Sequence, residues 1–402
     1  MRLVLCALLA LALMLPAAAL ASGDAPTIFV ATDPHFISPA LTDNGPFFMR
    51  MIENGDGKLV HYSDELTDAF VQQVIEAKPD CLILSGDLTF NGAKRSHEDL
   101  AVKLRKIDLS GIPVLVLPGN HDLYCYAAAQ FSGDSYALTE RITSEEFAKL
   151  YHDLGFDLAI SRDPYSLSYI AEPIAGVRIL MLDTNTLMLE GAVAQNTFTW
   201  LESVLKRAQQ DGAKLIAVSH QNLYAHSSLL YQGFMIANAS MLESRYEEYG
   251  VAVNLSGHIH MQHIIEGVVP EIATSSLAVS PCQYGVITLE DGFAQYRTEM
   301  VDVSAWAQKH RKTDPNLLDF AAYAKDFFRN TSLRQTPPGD PDADALAAWI
   351  AEVNAAYFAG RTDQIPPAPT AAAISADLFH SAYIASILAE PPRDHTQFSF
   401  PL

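Results

Sequence analysis

Cysteine is scarce in this chain, with four residues in 402. Cys6 falls in an N-terminal apolar stretch, which leaves Cys81, Cys125 and Cys282. An odd count cannot all pair internally, and three thiols are too few for a disulfide scaffold. One Cys125–Cys282 bridge is left open, Cys81 reads as a buried thiol in a strand-like run, and no spacing suits a zinc–thiolate site. Positive charge is scarce too: 26 Lys and Arg stand against 47 Asp and Glu, a formal net charge of −21. That balance excludes a nucleic-acid-coating protein, which needs a basic face against the phosphates. An anionic substrate would have to be drawn in by a local cation rather than by the field of the whole molecule. Beyond the N-terminus, no run approaches the about 18 consecutive apolar residues of a membrane span, so no membrane span is expected. Internal repeats and low-complexity tracts are also missing.

The N-terminus reads as a targeting segment. Arg2 supplies a positive start, Leu3 to Leu15 an apolar stretch too short for a bilayer, and Ala19-Leu20-Ala21 a small-residue cleavage site. Residues 1–21 are therefore expected to leave as a signal peptide, with cleavage before Ser22 and an exported, periplasmic or extracellular product. Cys6 lies inside the apolar stretch, which gives no sign of an acylated lipoprotein.

What remains is a globular chain, 49% hydrophobic and long enough for one large domain and a smaller one. Short apolar runs at Thr27–Ala31, Cys81–Leu84, Pro113–Leu117, Arg178–Leu182, Lys214–Ser219 and Val251–Leu255 suit buried strands. Amphipathic stretches lie between them: Asp64–Ala77, with Ser63 as a candidate cap, and Phe198–Gln210. This repetition predicts an α/β fold with helices covering a largely central sheet. Glu271–Arg297 reads as several short antiparallel strands turned at Asp291-Gly292. Residues 39–62 break the pattern and are expected to be a long loop that walls or lids a site, or else a plain surface excursion. After about Val301 the periodicity becomes helical at Leu317–Phe328, Leu346–Phe358 and Ala371–Leu388, with Pro337-Pro338-Gly339 and Pro366-Pro367 between.

Five clusters of hard-metal ligands close several of the apolar runs: Asp33-Pro34-His35, Gly86-Asp87, Gly119-Asn120-His121-Asp122, His220, and Gly257-His258-Ile259-His260. Carboxylate, imidazole and amide oxygen together suit divalent ions, and the alternation of strand and ligand turn predicts that one edge of one sheet supplies all five. Two ions about 3.5–4 Å apart need an anionic bridge, a role that suits Asp87. The i, i+2 spacing of Asp33 and His35 predicts that both reach one ion; His258 and His260 have the same relation.

This set resembles the calcineurin-like metallophosphoesterases over roughly residues 27–300. The resemblance implies a four-layer α/β/β/α metallophosphoesterase sandwich over residues 24–300, followed by a small C-terminal helical domain over 301–402. It implies two divalent metal ions (Mn²⁺, Fe or Zn²⁺), one held by Asp33, His35, Asp87 and His260, the other by Asp87, Asn120, His220 and His258. His121 would face the substrate phosphoryl group as acid or electrostatic stabiliser. A water deprotonated between two such ions can attack phosphorus in line. Purple acid phosphatases carry tyrosine three residues after the bridging aspartate, where this chain has Phe90. Gly86-Asp87-Leu88-Thr89 with Asn91-Gly92 is instead similar to the class III cyclic-nucleotide phosphodiesterase group. The expected substrate is a small phosphate ester, a phosphodiester first, with a phosphomonoesterase or nucleotidase as the alternative and an inactive metal-stabilised binding protein as the remote one. Gln221 departs from the pattern, since many relatives have His or Pro nearby. Asn91 and Asn185 are candidate substrate contacts, Asn185 equally an Asx-type turn residue. Asp122 is expected to orient its loop, and His263 to lie at the surface or behind the ligands.

Overall fold

The computed structural model describes residues 25–185, 191–335, 341–369 and 378–402. The expected signal peptide, Cys6, Pro337-Pro338-Gly339 and residues 371–377 of the last expected helix lie outside them. The strands, in chain order, are β1 (Thr27–Ala31), β2 (Cys81–Leu84), β3 (Val114–Val116), β4 (Ala129–Ser132), β5 (Ser135–Leu138), β6 (Ala159–Arg162), β7 (Tyr169–Ile174), β8 (Val177–Leu182), β9 (Lys214–Ser219), β10 (Val251–Ser256), β11 (His263–Ile265), β12 (Glu271–Ala273), β13 (Gln283–Glu290), β14 (Phe293–Met300) and β15 (Gln397–Pro401). The helices are α1 (Pro46–Glu53), α2 (Ser63–Ala77), α3 (Lys94–Asp108), α4 (Ser144–Leu150), α5 (Gln195–Gln210), α6 (Ala239–Tyr249), α7 (Val303–Lys309), α8 (Pro315–Leu318), α9 (Phe320–Gln335), α10 (Pro341–Phe358) and α11 (Leu378–Leu388).

Two sheets carry the fold. One has the order β15-β14-β13-β1-β2-β3, parallel where β1, β2 and β3 meet and antiparallel from β13 outward. The other has the order β11-β12-β10-β9-β8-β7-β6, with β8, β9, β10 and β12 running parallel. Side-chain alternation explains why they stack. On β8 and β9, Ile179, Met181, Ile216 and Val218 enter the main core, which also holds the side chains of β1 and β2. The intervening Leu180, Leu182, Leu215 and Ala217 face a second apolar cluster built with α5 and α6. Apolar residues of α2 and α3 join the main core from the far side of the first sheet, so the layers run helix, sheet, sheet, helix. No helix among the described residues is long and apolar enough to cross a membrane.

Several expectations change. The ligand clusters do not come from one edge of one sheet: Asp33, Asp87 and Asn120 follow β1, β2 and β3 of the first, while His220 and His258 follow β9 and β10 of the second. Residues 39–62 are not a plain loop, because α1 forms there with Pro46 at its first turn and buries Phe48 and Ile52. Ser63 is not a cap. It lies inside α2, where its hydroxyl accepts the Ile37 N–H at 3.2 Å. Of the short strands after Glu271, β12 runs parallel to β10, and only β13 and β14 form the hairpin turned at Asp291-Gly292. The chain after Val301 is not helical throughout, since β15 returns to pair with β14. No Cys125–Cys282 bridge forms; both are free thiols, Cys125 standing against Gly92 and Cys282 buried at the start of the β13–β14 hairpin.

Candidate metal centre

Three of the five ligand turns hold their ligands in a left-handed conformation. Asp33, His35, Asp87, His258 and His260 hold φ of 51°, 41°, 47°, 66° and 62°. Non-glycine residues avoid that region, and such positions concentrate at functional sites. Glycine is required where the turns touch. A Cβ on Gly119 would lie 2.2 Å from both the backbone N and Oδ1 of Asp87, and one on Gly257 would lie 2.6 Å from Asp33 Oδ2. Gly86 has φ of +110°, and its Cβ would lie 2.5 Å from His220 Nδ1.

Two donor groups result. Donor atoms of Asp33, His35, Asp87 and His260 lie within 4.8 Å of one another, and so do those of Asp87, His220 and His258. In the first group His35 Nε2 and His260 Nε2 stand 3.1 Å apart, and Asp33 Oδ1 lies 3.3 Å from His260 Nε2 and 3.7 Å from His35 Nε2. In the second, His220 Nε2 lies 3.3 Å from Asp87 Oδ1 and 3.0 Å from Asn120 Oδ1. Asp87 joins the groups with different oxygens, since its Oδ2 lies 3.8 Å from His35 Nε2.

The donors fit divalent ions. Asp33 Oδ1 is buried with no hydrogen-bond partner, although it points at two imidazole nitrogens. An orphaned buried carboxylate oxygen is costly unless a cation meets it. Neighbouring backbone sets the ring tautomers. His220 Nδ1–H donates to Ser85 O at 2.9 Å, which leaves Nε2, beside Asp87, as the atom an ion would meet. His258 Nε2–H donates to Gly233 O at 3.0 Å, which leaves Nδ1 for an ion. Such outer contacts orient metal-binding imidazoles. Thr32 Oγ1 donates to Asp33 Oδ2 at 2.6 Å and the His258 N–H at 2.9 Å, so Oδ2 is occupied and Oδ1 stays free.

The electrostatics are those of a buried charged cluster. Burial opposes ionisation of Asp87, but the surrounding His220, His121 and His35 hold its carboxyl well below the usual range. Burial likewise opposes the His220 imidazolium, yet the Asp87 carboxylate raises it to about 9. Burial and the neighbouring His220 push His258 down to about 4, and burial with Lys58 nearby depresses His35 strongly.

His121 is brought to the site but belongs to neither donor group. Its backbone N–H donates to Asp87 Oδ1 at 2.8 Å, and its Nδ1–H donates to Phe90 O at 2.8 Å. Nε2 therefore faces the cleft, 3.9 Å from Asp87 Oδ2, with 34% of the side chain exposed, enough to meet a substrate. Asp122 accepts from the backbone N–H groups of Leu88, Thr89 and Gly119 at 3.0, 2.9 and 2.8 Å, tying the second ligand turn to the third. Burial, then the Asp87 charge, raise it to about 7. Asn91 turns its amide to Ala129 O at 3.1 Å. Asn185 closes an Asx-type turn on Asp183 and exchanges amide hydrogen bonds with Gln221 at 2.8 and 3.1 Å. His263 is buried rather than superficial and stacks on His395, with ring centroids 4.1 Å apart.

Reading the sequence missed Asp56, whose Oδ2 lies 3.7 Å from His260 Nδ1 and 3.0 Å from Lys58 Nζ. Both lie in the segment expected to wall the site, but no spacing tied them to His260. The i, i+2 argument also misled for the last cluster. His258 joins the second donor group and His260 the first, the division that the family resemblance implied and the spacing did not.

A family model of calcineurin-like phosphoesterases matches residues 26–262, and a model of the C-terminal domain of cyclic nucleotide phosphodiesterase matches residues 302–394. No curated protein matches the chain. Similar solved structures include a dimetal phosphatase from Danio rerio (13% identity, TM-score 0.49, covering 69% of this chain and 96% of that one). A purple acid phosphatase from yellow lupin, Lupinus luteus, has 14% identity and a TM-score of 0.45, covering 69% and 52%. The protein TT1561 of Thermus thermophilus has 12% identity and a TM-score of 0.41, covering 69% and 99%. The first of the two family matches takes in more than half of the chain and every ligand turn from Asp33 to His260. By that match, the chain belongs to the calcineurin-like phosphoesterase family.

Proposed function

We propose that this metallophosphoesterase hydrolyses phosphodiester bonds, cyclic nucleotides among them, at a two-metal centre whose bridge is Asp87. The observation that carries the reading is the division of Asp87 itself, with one oxygen toward each donor group. The first ion would rest on Asp33, His35, Asp87 and His260, the second on Asp87, Asn120, His220 and His258. When bound, the two ions would supply an acidified water and offset charge on the phosphoryl oxygens. The protein contributes orientation and a proton. Phe90 O fixes the His121 ring so that Nε2 meets the cleft. As an imidazolium, His121 can hydrogen-bond a phosphoryl oxygen and pass its Nε2 proton to the leaving alkoxide. Diesters are favoured over monoesters by the match of residues 302–394 to a phosphodiesterase C-terminal domain.

Residues 24–300 would be the catalytic unit and 301–402 the C-terminal one, as the change in character at Val301 suggests, with β15 of the latter returning to the first sheet beside β14. Arg2, the Leu3–Leu15 stretch and Ala19-Leu20-Ala21 support export. Fractionation of cells making the full chain should find a shortened product outside the cytoplasm; full-length protein retained inside would reject export.

The activity test is a side-by-side assay of Mn²⁺-loaded protein on bis-(p-nitrophenyl) phosphate, p-nitrophenyl phosphate and 3′,5′-cyclic AMP. A higher kcat/KM on the diesters is expected, and a preference for the monoester would replace this reading with a phosphomonoesterase. Asp87→Ala or chelation should abolish turnover; activity surviving either would sink the two-metal reading.

A further inference from the structure

Ile259 and Met261 alternate in sequence with His258 and His260 on the last ligand loop. Both are buried, at 5% and 2% exposure, in an apolar cluster with Trp349, Ile350 and Val353 of α10 and Ile384 and Ile387 of α11. The backbone of the same loop is held from the same side. The Gln262 N–H donates to Phe358 O at 3.0 Å, and the Ile264 N–H donates to His395 Nδ1 at 3.0 Å. Gln262 Nε2 donates to His395 O at 3.0 Å. Gly360, with φ of +74°, lets the chain after α10 pass so close that a Cβ there would lie 2.6 Å from Gln262 Cγ.

We propose that the C-terminal helices are part of the metal centre, acting as the clamp that holds the 257–263 loop in the conformation that presents His258 and His260. The loop needs such a clamp. Its two histidines sit at φ of 66° and 62°, which side-chain-bearing residues leave unless the surroundings hold them. It also delivers one imidazole to each donor group, so a single loosening acts on both. Ile259, Met261, Gln262 and His395 are positioning residues, since none of them belongs to either donor group. The inference rests on the two-metal reading above.

The test uses the full chain, stripped of metal and titrated with Mn²⁺ by calorimetry, together with deuterium exchange of residues 257–264 in the metal-free protein. Val353→Ala trims the apolar clamp, and His395→Ala removes the acceptor for Ile264. His395→Asn restores an acceptor near the same place, and Leu205→Ala is a cavity control in the α5 layer, away from the loop. Val353→Ala and His395→Ala should weaken Mn²⁺ binding by roughly 10-fold or more, the usual effect of losing outer support. They should also speed exchange in the loop, while His395→Asn recovers binding and Leu205→Ala leaves it unchanged. Folded Val353→Ala and His395→Ala proteins that bind Mn²⁺ like the wild type would overturn the clamp, as would equal weakening by Leu205→Ala. Wild-type protein that binds no Mn²⁺ would instead overturn the two-metal reading.

Discussion

Gly119 shows how little freedom a single position has at this centre. Its missing side chain leaves room for the Asp87 backbone and carboxylate at 2.2 Å, and for His220 Nε2 at 2.7 Å from where a Cβ would stand. Gly119→Ala must therefore push Asp87 out of place. Overpacking of about 1–3 kcal/mol is expected, with metal affinity falling on the order of 10-fold to 100-fold. Thermal melting with and without Mn²⁺ separates the two effects, because bound metal raises the melting temperature only when it binds. His121 has the opposite profile. It stands outside both donor groups, so His121→Ala should keep the metals and lose roughly 10²- to 10⁴-fold in kcat. Metal analysis of the purified variant beside its kinetics checks this, and loss of metal would show that His121 belongs among the ligands.

At the scale of elements, Glu271 on β12 fixes the loop that follows His220. It is fully buried, and its carboxylate accepts the Leu223 and Tyr224 N–H groups at 2.7 and 2.8 Å, Asn254 Nδ2 at 2.8 Å and His226 Nε2 at 3.0 Å. Burial opposes its charge, but His226 and the backbone donors keep its carboxyl below the usual value. Glu271→Gln would turn an amide N–H toward some of those donors. A loss of about 2–4 kcal/mol is expected by urea denaturation, and an unchanged midpoint would show that the loop does not depend on this carboxylate. The elements differ in how well they could be read from their residues. Strands β1, β2 and β9 were legible to the residue because they are buried on both faces and carry unbroken apolar runs. Helix α1 was not, since eight residues between Asn- and Gly-rich turns give too little periodicity and depend on packing. Strand β15 was not, since its alternation is weak and β14 supplies its partner from about a hundred residues away.

At the scale of the whole molecule, several buried imidazoles set the response to acid. Burial holds His61 and His97 at about 4 and His395 at about 3, against an ordinary 6.5. Above pH 6.5 these rings are neutral whether the chain is folded or not, and they cost nothing. As pH falls through that value the unfolded chain takes up protons that the folded one refuses. Each ring then removes stability at about 1.4 kcal/mol per pH unit until its folded value is reached. His220, raised to about 9, acts in the opposite sense in metal-free protein. Urea midpoints of Mn²⁺-loaded protein should hold steady from pH 8 to 7 and fall between pH 6.5 and 4.5; a flat profile to pH 4.5 would show that these histidines are not kept neutral.

The residue types of the candidate centre were legible in the sequence alone, because they are local. Carboxylate, imidazole and amide oxygen stand in five short turns, each bracketed by the apolar run or the glycine that its geometry needs. The α/β layering was equally legible, since alternating apolar runs and amphipathic stretches have few packed solutions. Tertiary structure alone decided the rest. That Asp56 stands beside His260 depends on the fold of the segment after the first ligand turn, invisible in residue spacing. That two sheets feed the centre depends on strand order, and strand order is a long-range choice. The place of the C-terminal helices against the last ligand loop depends on contacts such as Ile264 with His395, 131 residues apart in the chain. Local residue type carries chemistry, but only the packed chain brings distant backbone together and holds it in conformations it would not keep alone.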